Sequence, residues 1–241
     1  MARVAVVTGG TRGIGAATAK LLHAAGYRVA ANYRNDDEAA QTFKRATGIP
    51  VYKWDVSLFA ACAIWLKQIE SDLGPVDVLV NNAGMASNSM LHRMEREQWN
   101  AVIDVNLNSL FNMCRPVIEG MRARKFGRII NISSISGQRG ALRQTNYAAA
   151  KAAQIGFTRA LAQENANCGV TVNVICPGNI NAGILRGMSH EAVEKNIVPL
   201  IPIGRVGEPE EIARCVAFLA ADESGFITGS TLTVNGGRLM V

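Results

Sequence analysis

A chain of 241 residues, 49% hydrophobic and 18% charged, is long enough to bury one large core and too apolar to stay disordered. Its formal net charge of +6 suits an anionic ligand or partner, while the five cysteines, odd in number and without a C-x-x-C pair, exclude a disulfide framework and read as small core residues. His23, His92 and His190 stand in no metal-ligand or nucleophile spacing, so neither a bound metal nor a Ser-His-Asp triad is expected.

No stretch rich in proline, serine or like charge divides the chain, and residues 1–241 are expected to form one domain. The first residues lead directly into a strand-like run, with no signal-peptide pattern and no apolar segment of membrane-spanning length, which predicts a cytoplasmic protein without membrane contact. Short β-branched or apolar runs then recur at 4–8, 28–32, 51–54, 78–81, 129–133, 171–176 and 231–234, separated by segments with helical spacing. Runs of this kind are strands buried on both faces, and their alternation with helices predicts an α/β fold: a doubly wound parallel sheet of about seven strands with helices on both faces.

The first run enters a glycine-rich turn, Thr8-Gly9-Gly10-Thr11-Arg12-Gly13-Ile14-Gly15, followed by a helix predicted over 16–25. Glycines let the backbone turn sharply and approach a pyrophosphate, whose charge is stabilised by the free amides and positive dipole at the helix start. Strand before, helix after and a second strand about twenty residues on give the turn the context of a dinucleotide site; a purely structural turn is the alternative. The second strand ends in Asn32-Tyr33-Arg34, where NAD chemistry calls for a carboxylate on the ribose. Arg34 and Arg12 can instead pair with a 2′-phosphate, which predicts NADP(H); Asp36, Asp37 and Glu38 follow closely and keep NADH as the alternative.

The basic run Arg122, Arg124, Lys125 and Arg128 precedes the fifth strand, at the sheet end opposite the ligand crevice, and reads as a solvated turn instead of a nucleic-acid patch. After that strand Ser133, Ser134 and Ser136 crowd one loop, where a hydroxyl can cap a turn or serve a ligand. On the helix predicted over 146–165, Tyr147 and Lys151 are four residues apart and share a face. A tyrosine of ordinary pKa, about 10, is a poor proton shuttle near neutrality. A lysine cation about 4 Å away, in an effective dielectric near 20, supplies roughly 4 kcal/mol, enough to lower that value by about three. The same helix is rich in alanine, which fits either close packing across a subunit interface or simple helix propensity. The irregular stretch 178–207 follows a strand that ends on the ligand side and is the candidate substrate lid.

Four blocks in this order, Thr8 to Gly15, Asn81-Asn82-Ala83-Gly84, Ser134, and Tyr147 with Lys151, make the chain resemble the short-chain dehydrogenase/reductase family from the first strand to the C-terminus. The resemblance implies a single-domain Rossmann fold in which Ser134, thirteen residues before Tyr147, polarises a substrate carbonyl, Tyr147 supplies the proton and Lys151 also holds the nicotinamide ribose. It adds Asn106 as a fourth catalytic residue, holding a water relay to Lys151. Cofactor contacts are implied from Gly9, Thr11, Arg12, Gly13, Ile14, Gly15, Arg34, Asp55, Asn82, Ala83, Gly84, Pro177, Gly178 and Ile180. Stretches around Phe111-Asn112-Met113, 117–121, 127–134, 144–147 and 199–205 are similar to reductases of 3-oxoacyl thioesters, with acetoacetyl-CoA as the first substrate and an acyl-carrier-protein thioester or another small ketone as alternatives. That similarity implies an acyl pocket lined by Gln144 and Thr145, and a homotetramer.

Two departures stand against the family pattern. Asn181-Ala182 occupies the place of a usual threonine near the nicotinamide, with Asn181 as its candidate substitute, and 85–90 is less polar than the usual acyl-entry segment. A reading from another class, a catalytically idle NADPH sensor or scaffold, requires loss of Ser134, Tyr147 or Lys151, and all three are present.

Overall fold

Each apolar run forms a strand: β1 (Val4–Val7), β2 (Arg28–Tyr33), β3 (Val51–Lys53), β4 (Val76–Asn81), β5 (Gly127–Ile132), β6 (Val170–Pro177) and β7 (Thr231–Val234). The structure, a computed structural model, describes residues 2–240. The strands lie in one sheet, order β3-β2-β1-β4-β5-β6-β7, and every neighbouring pair is parallel. Alternate side chains feed two core layers, Val4 and Val6 into one and Ala5 and Val7 into the other. This two-sided burial is why the runs are continuously apolar.

On the Val4 and Val6 face lie α3 (Phe59–Leu73), α5 (Ser109–Ala123) and α7 (Thr145–Asn165), contributing Leu66, Ile69, Met113, Val117, Met121 and Ala162. The opposite face is covered by α1 (Gly13–Ala24), α2 (Asp37–Thr47) and α9 (Pro209–Ala220), through Leu22, Phe43, Ile212, Val216 and Leu219. A short helix α4 (Arg96–Ile103) runs through a π-turn, Asp104–Asn108, into α5. The chain winds outward from β1 in one direction to β3 and from β4 in the other to β7, so the carboxyl ends of β1 and β4 flank the topological switch point where ligands of such sheets bind.

Three expectations change. The basic run is a solvated turn only in part: Arg122, Arg124 and Lys125 are exposed, whereas Arg128 is buried. Arg128 is 4% exposed, and its guanidinium donates to the carbonyls of Gly127, Gly169, Ala221 and Asp222, while Arg122 reaches the Glu164 carbonyl and Asn165, and Arg124 the Val76 carbonyl. These cations tie chain ends together at the amino edge of the sheet, where strand and helix termini leave carbonyls without partners. The stretch 178–207 is ordered into a 3₁₀ turn (Gly183–Gly187), α8 (His190–Asn196) and a second 3₁₀ turn (Val198–Leu200). Its base is pinched shut by bonds from Asn181 N–H to the Gly207 carbonyl (2.8 Å) and from Gly207 N–H to the Asn179 carbonyl (2.9 Å). Cys62, Cys114 and Cys176 are buried as expected, whereas Cys168 and Cys215 are half-exposed; all are free thiols.

Candidate active site

The glycine turn is built by close backbone approach. A Cβ on Gly15 would stand 2.1 Å from the Gly9 carbonyl oxygen, so only glycine lets α1 start directly over the turn, and Gly9 (φ +61) and Gly13 (φ +52) adopt left-handed conformations. Thr8 Oγ1 accepts from the N–H groups of Asn82 and Ala83, both at 2.9 Å, and Asn82 Nδ2 donates back to the Thr8 carbonyl at 2.9 Å. Asn32, buried at the end of β2, accepts the Gly9 N–H at 3.2 Å. The turn is thus fixed by β2 and β4 before any ligand enters. No side chain caps α1 at Arg12 and its first turn carries no acid, which leaves the positive helix end free for an anion. The residues present fit a dinucleotide pyrophosphate.

Just past β2, Arg34 is exposed and lies 3.6 Å from Asp55, whose other oxygen is held by the N–H and hydroxyl of Ser57 at 2.9 and 2.7 Å. Arg12 is also exposed. Two of the three carboxylates that kept a ribose role open have other partners: Asp36 caps α2 through the Ala39 N–H, and Asp37 binds Lys53 at 2.7 Å and the Tyr33 hydroxyl at 2.9 Å.

Ser134, Tyr147, Lys151 and Asn106 come from three segments: the turn after β5, α7, which carries both Tyr147 and Lys151, and the π-turn. Ser134 caps α6 (Ile135–Arg139), its Oγ accepting the Ser136 N–H at 3.1 Å. Capping and catalysis are therefore compatible: an oxygen whose lone pair is used still has its proton to donate. Lys151 is 3% exposed; its Nζ donates to the Ile132 carbonyl at 2.8 Å and lies 5.5 Å from the centre of the Tyr147 ring, while its own carbonyl accepts from Ser133 Oγ at 2.7 Å. A Cβ on Gly84 would stand 2.8 Å from Asn106 Oδ1 and 3.6 Å from Lys151 Nζ, which puts Asn106 and Lys151 on one small region behind the 82–84 segment.

Electrostatically the pair departs from the simple expectation. Burial pushes the Tyr147 phenol above its usual value, against a lowering from the Ser134 hydroxyl, and burial drives Lys151 down to about 7. The ammonium expected to acidify the phenol is itself desolvated, and the one influence that lowers the phenol, the Ser134 hydroxyl, is outweighed by burial.

Gln144 Oε1 accepts from Ser136 Oγ at 3.2 Å, and the Gln144 backbone bridges to Ser89, bringing 85–90 beside the start of α7. Thr145 is exposed and has no side-chain bond to Ser134 or Tyr147. Pro177 closes β6, and Gly178 N–H donates to the Val234 carbonyl at 2.9 Å. Ile180 is buried in the core layer behind Gly207. The amide of Asn181, the candidate substitute for the missing threonine, donates to Glu208 at 3.3 Å, while Ala182 packs against Gly13. Sequence reasoning missed Asn146, whose amide ties α7 to the Ser87 carbonyl at 3.1 Å, and Gln154, buried three residues after Lys151. A polar residue on the inward helix face beside Lys151 was the available signal for Gln154.

A parallel sheet with this order, a glycine turn at its switch point and a Ser, Tyr and Lys set beside it define a nucleotide-dependent α/β reductase architecture. The family model described as "Enoyl-(Acyl carrier protein) reductase" matches residues 9–238, and the chain belongs to the short-chain dehydrogenase/reductase family. Among curated proteins it is 59% identical to an acetoacetyl-CoA reductase of Shinella zoogloeoides, over 241 residues and all of both chains. It is 58% identical to an acetoacetyl-CoA reductase of Rhizobium meliloti (strain 1021), covering 99% of each chain. A 3-oxoacyl-[acyl-carrier-protein] reductase of Escherichia coli (strain K12) is 43% identical, covering 99% of this chain and 98% of its own.

Proposed function

We propose that this oxidoreductase reduces a 3-oxoacyl thioester with NADPH, acetoacetyl-CoA to 3-hydroxybutyryl-CoA before others. The observation that carries the reading is the convergence, past the carboxyl end of β5, of Ser134, Tyr147 within hydrogen-bonding reach of it, and a buried lysine 5.5 Å from that tyrosine's ring. The nicotinamide supplies a hydride to the ketone carbon when bound. Ser134 donates its hydroxyl proton in a hydrogen bond to the ketone oxygen, and Tyr147 transfers a proton to that oxygen as charge develops. The phenolate left behind is stabilised by the Lys151 cation. Lys151 also holds the nicotinamide ribose, and Asn106 supports the water path that returns a proton. Gln144 lines the acyl pocket, where its link to Ser136 orients it.

NADP(H) is favoured over NAD(H) because Arg12 and Arg34 are exposed at the end of β2 and Asp36 and Asp37 are already engaged. Coenzyme A is favoured over acyl carrier protein because the relatives named for acetoacetyl-CoA are 58 and 59% identical, against 43% for the carrier-protein reductase. The site works in the cytoplasm; no described helix is long and apolar enough to cross a membrane.

Loss of NADPH absorbance at 340 nm with acetoacetyl-CoA, an acetoacetyl carrier-protein thioester and simple ketones tests the proposal. Acetoacetyl-CoA is expected to give the highest kcat/KM, and Tyr147→Phe to lower kcat by about 10²–10⁴-fold. No turnover with any ketone would leave an NADPH-binding protein without chemistry. Arg34→Ala is expected to raise the KM for NADPH about tenfold or more and leave that for NADH nearly unchanged, the loss of one charge-assisted hydrogen bond.

A further inference from the structure

The π-turn that carries Asn106 has unusual support. Ser109 N–H reaches back five residues to the Asp104 carbonyl, and the wider turn displaces neighbouring carbonyls from their α-helical donors. Side chains replace those donors: Asn106 Nδ2 donates to the Val102 carbonyl at 2.8 Å, Ser109 Oγ to the Val105 carbonyl at 2.6 Å, and Gln154 Nε2 to the Asn106 carbonyl at 2.5 Å. Only the last comes from another helix, 48 residues away in sequence, and Gln154 is 1% exposed. Two oxygens here, Asn106 Oδ1 and Gln154 Oε1, are buried with no hydrogen-bond partner among the described residues. Keeping an amide side chain in such a place carries a desolvation cost for each orphaned group, which packing alone does not require.

Lys151 and Gln154 are three residues apart on α7 and both buried, so their side chains are neighbours on the inward face. The titratable groups facing Lys151 are Tyr147 from its own helix and Cys176 from β6. The turn after β5 presents the Ile132 carbonyl and Ser133, the segment after β4 presents Gly84, and the π-turn presents Asn106. No carboxylate is among them, so polar oxygens must do what a counter-ion otherwise would.

We propose that Gln154 is a positioning residue of this site: its amide tethers the Asn106 carbonyl, holding the π-turn against α7, and its carboxamide helps set the proton affinity of Lys151. This rests on the catalytic reading of Lys151 given above. Replacing Gln154 by leucine removes a polar neighbour from a buried cation and disfavours that cation; replacing it by glutamate places a carboxylate there and favours it. A purely structural residue would not displace one ionisation in opposite directions.

The test is the pH profile of kcat/KM for acetoacetyl-CoA in the wild type, Gln154→Leu and Gln154→Glu. The limb governed by Lys151 is expected to move to lower pH in Gln154→Leu, with kcat down about tenfold, and up by about one pH unit or more in Gln154→Glu. Limbs that stay in place, or that move the same way in both variants, overturn the electrostatic role. Hydrogen exchange across 104–110 tests the tether without catalysis: Gln154→Leu is expected to speed exchange about tenfold or more, and unchanged exchange overturns it. A wild type that reduces no thioester would sink the catalytic reading, whereas an active wild type with unmoved limbs and unchanged exchange in the variants would sink this proposal alone.

Discussion

The ammonium of Lys151, 3% exposed, exchanges water for the Ile132 carbonyl at 2.8 Å, and burial lowers its pKa from 10.5 to about 7. Below pH 7 the group is protonated in folded and unfolded chains alike, and the folded chain carries the full cost of the buried cation. Between about 7 and 10.5 the unfolded chain binds more protons, so this group's contribution to stability rises with pH. Lys151→Met is therefore expected to be more stable than the wild type at pH 6, by on the order of a few kcal/mol, with the gap closing as pH approaches 10. Denaturant melts across that range check it; a gap independent of pH would mean that the Lys151 pKa is the same in the folded and unfolded chains. The site thus retains a cation that stability alone would remove, as expected where activity sets the residue.

At the scale of elements, the catalytic set depends on α6 resting directly on α7. A Cβ on Gly137 would lie 2.5 Å from the Lys151 carbonyl carbon and 2.7 Å from the Ala152 nitrogen, both backbone atoms that cannot rotate aside. Gly137→Ala is expected to cost about 1–3 kcal/mol in denaturant melts and to lower kcat, because relief of the clash separates the Ser134 turn from the Lys151 helix. Unchanged stability would show that the two helices slide freely. Here the sequence was informative in parts. Tyr147, Lys151 and the glycine turn were legible because their spacing is local, one helical turn or one loop. The tethers of Asn82 to Thr8 and Gln154 to Asn106 were not, since each joins residues far apart in sequence that only packing brings together. For the same reason the bond from the Asn181 amide to Glu208 was not legible.

For the whole molecule, large apolar side chains remain on the surface, among them Phe111 stacked on Phe59 across α5 and α3, Phe218 on α9, and Phe226 in the segment before β7. Such area on an otherwise well-buried chain is consistent with the homotetramer that the family resemblance implies. Sedimentation equilibrium is expected to give four times the 25.8 kDa chain mass, and Phe111→Glu or Phe226→Glu to dissociate it; a monomeric wild type refutes the assembly. The sequence by itself determined the α/β class, the order of strands and helices, the dinucleotide turn and the residue types of the chemistry, because hydrophobic period and motif spacing are properties of neighbouring residues. Only the tertiary structure decided that the basic run anchors Arg128 to four carbonyls and that Lys151 is depressed while Tyr147 is raised. It alone decided, too, that Gln154 reaches the π-turn. Burial, desolvation and long-range hydrogen bonds arise from which segments meet, and a linear pattern does not contain that.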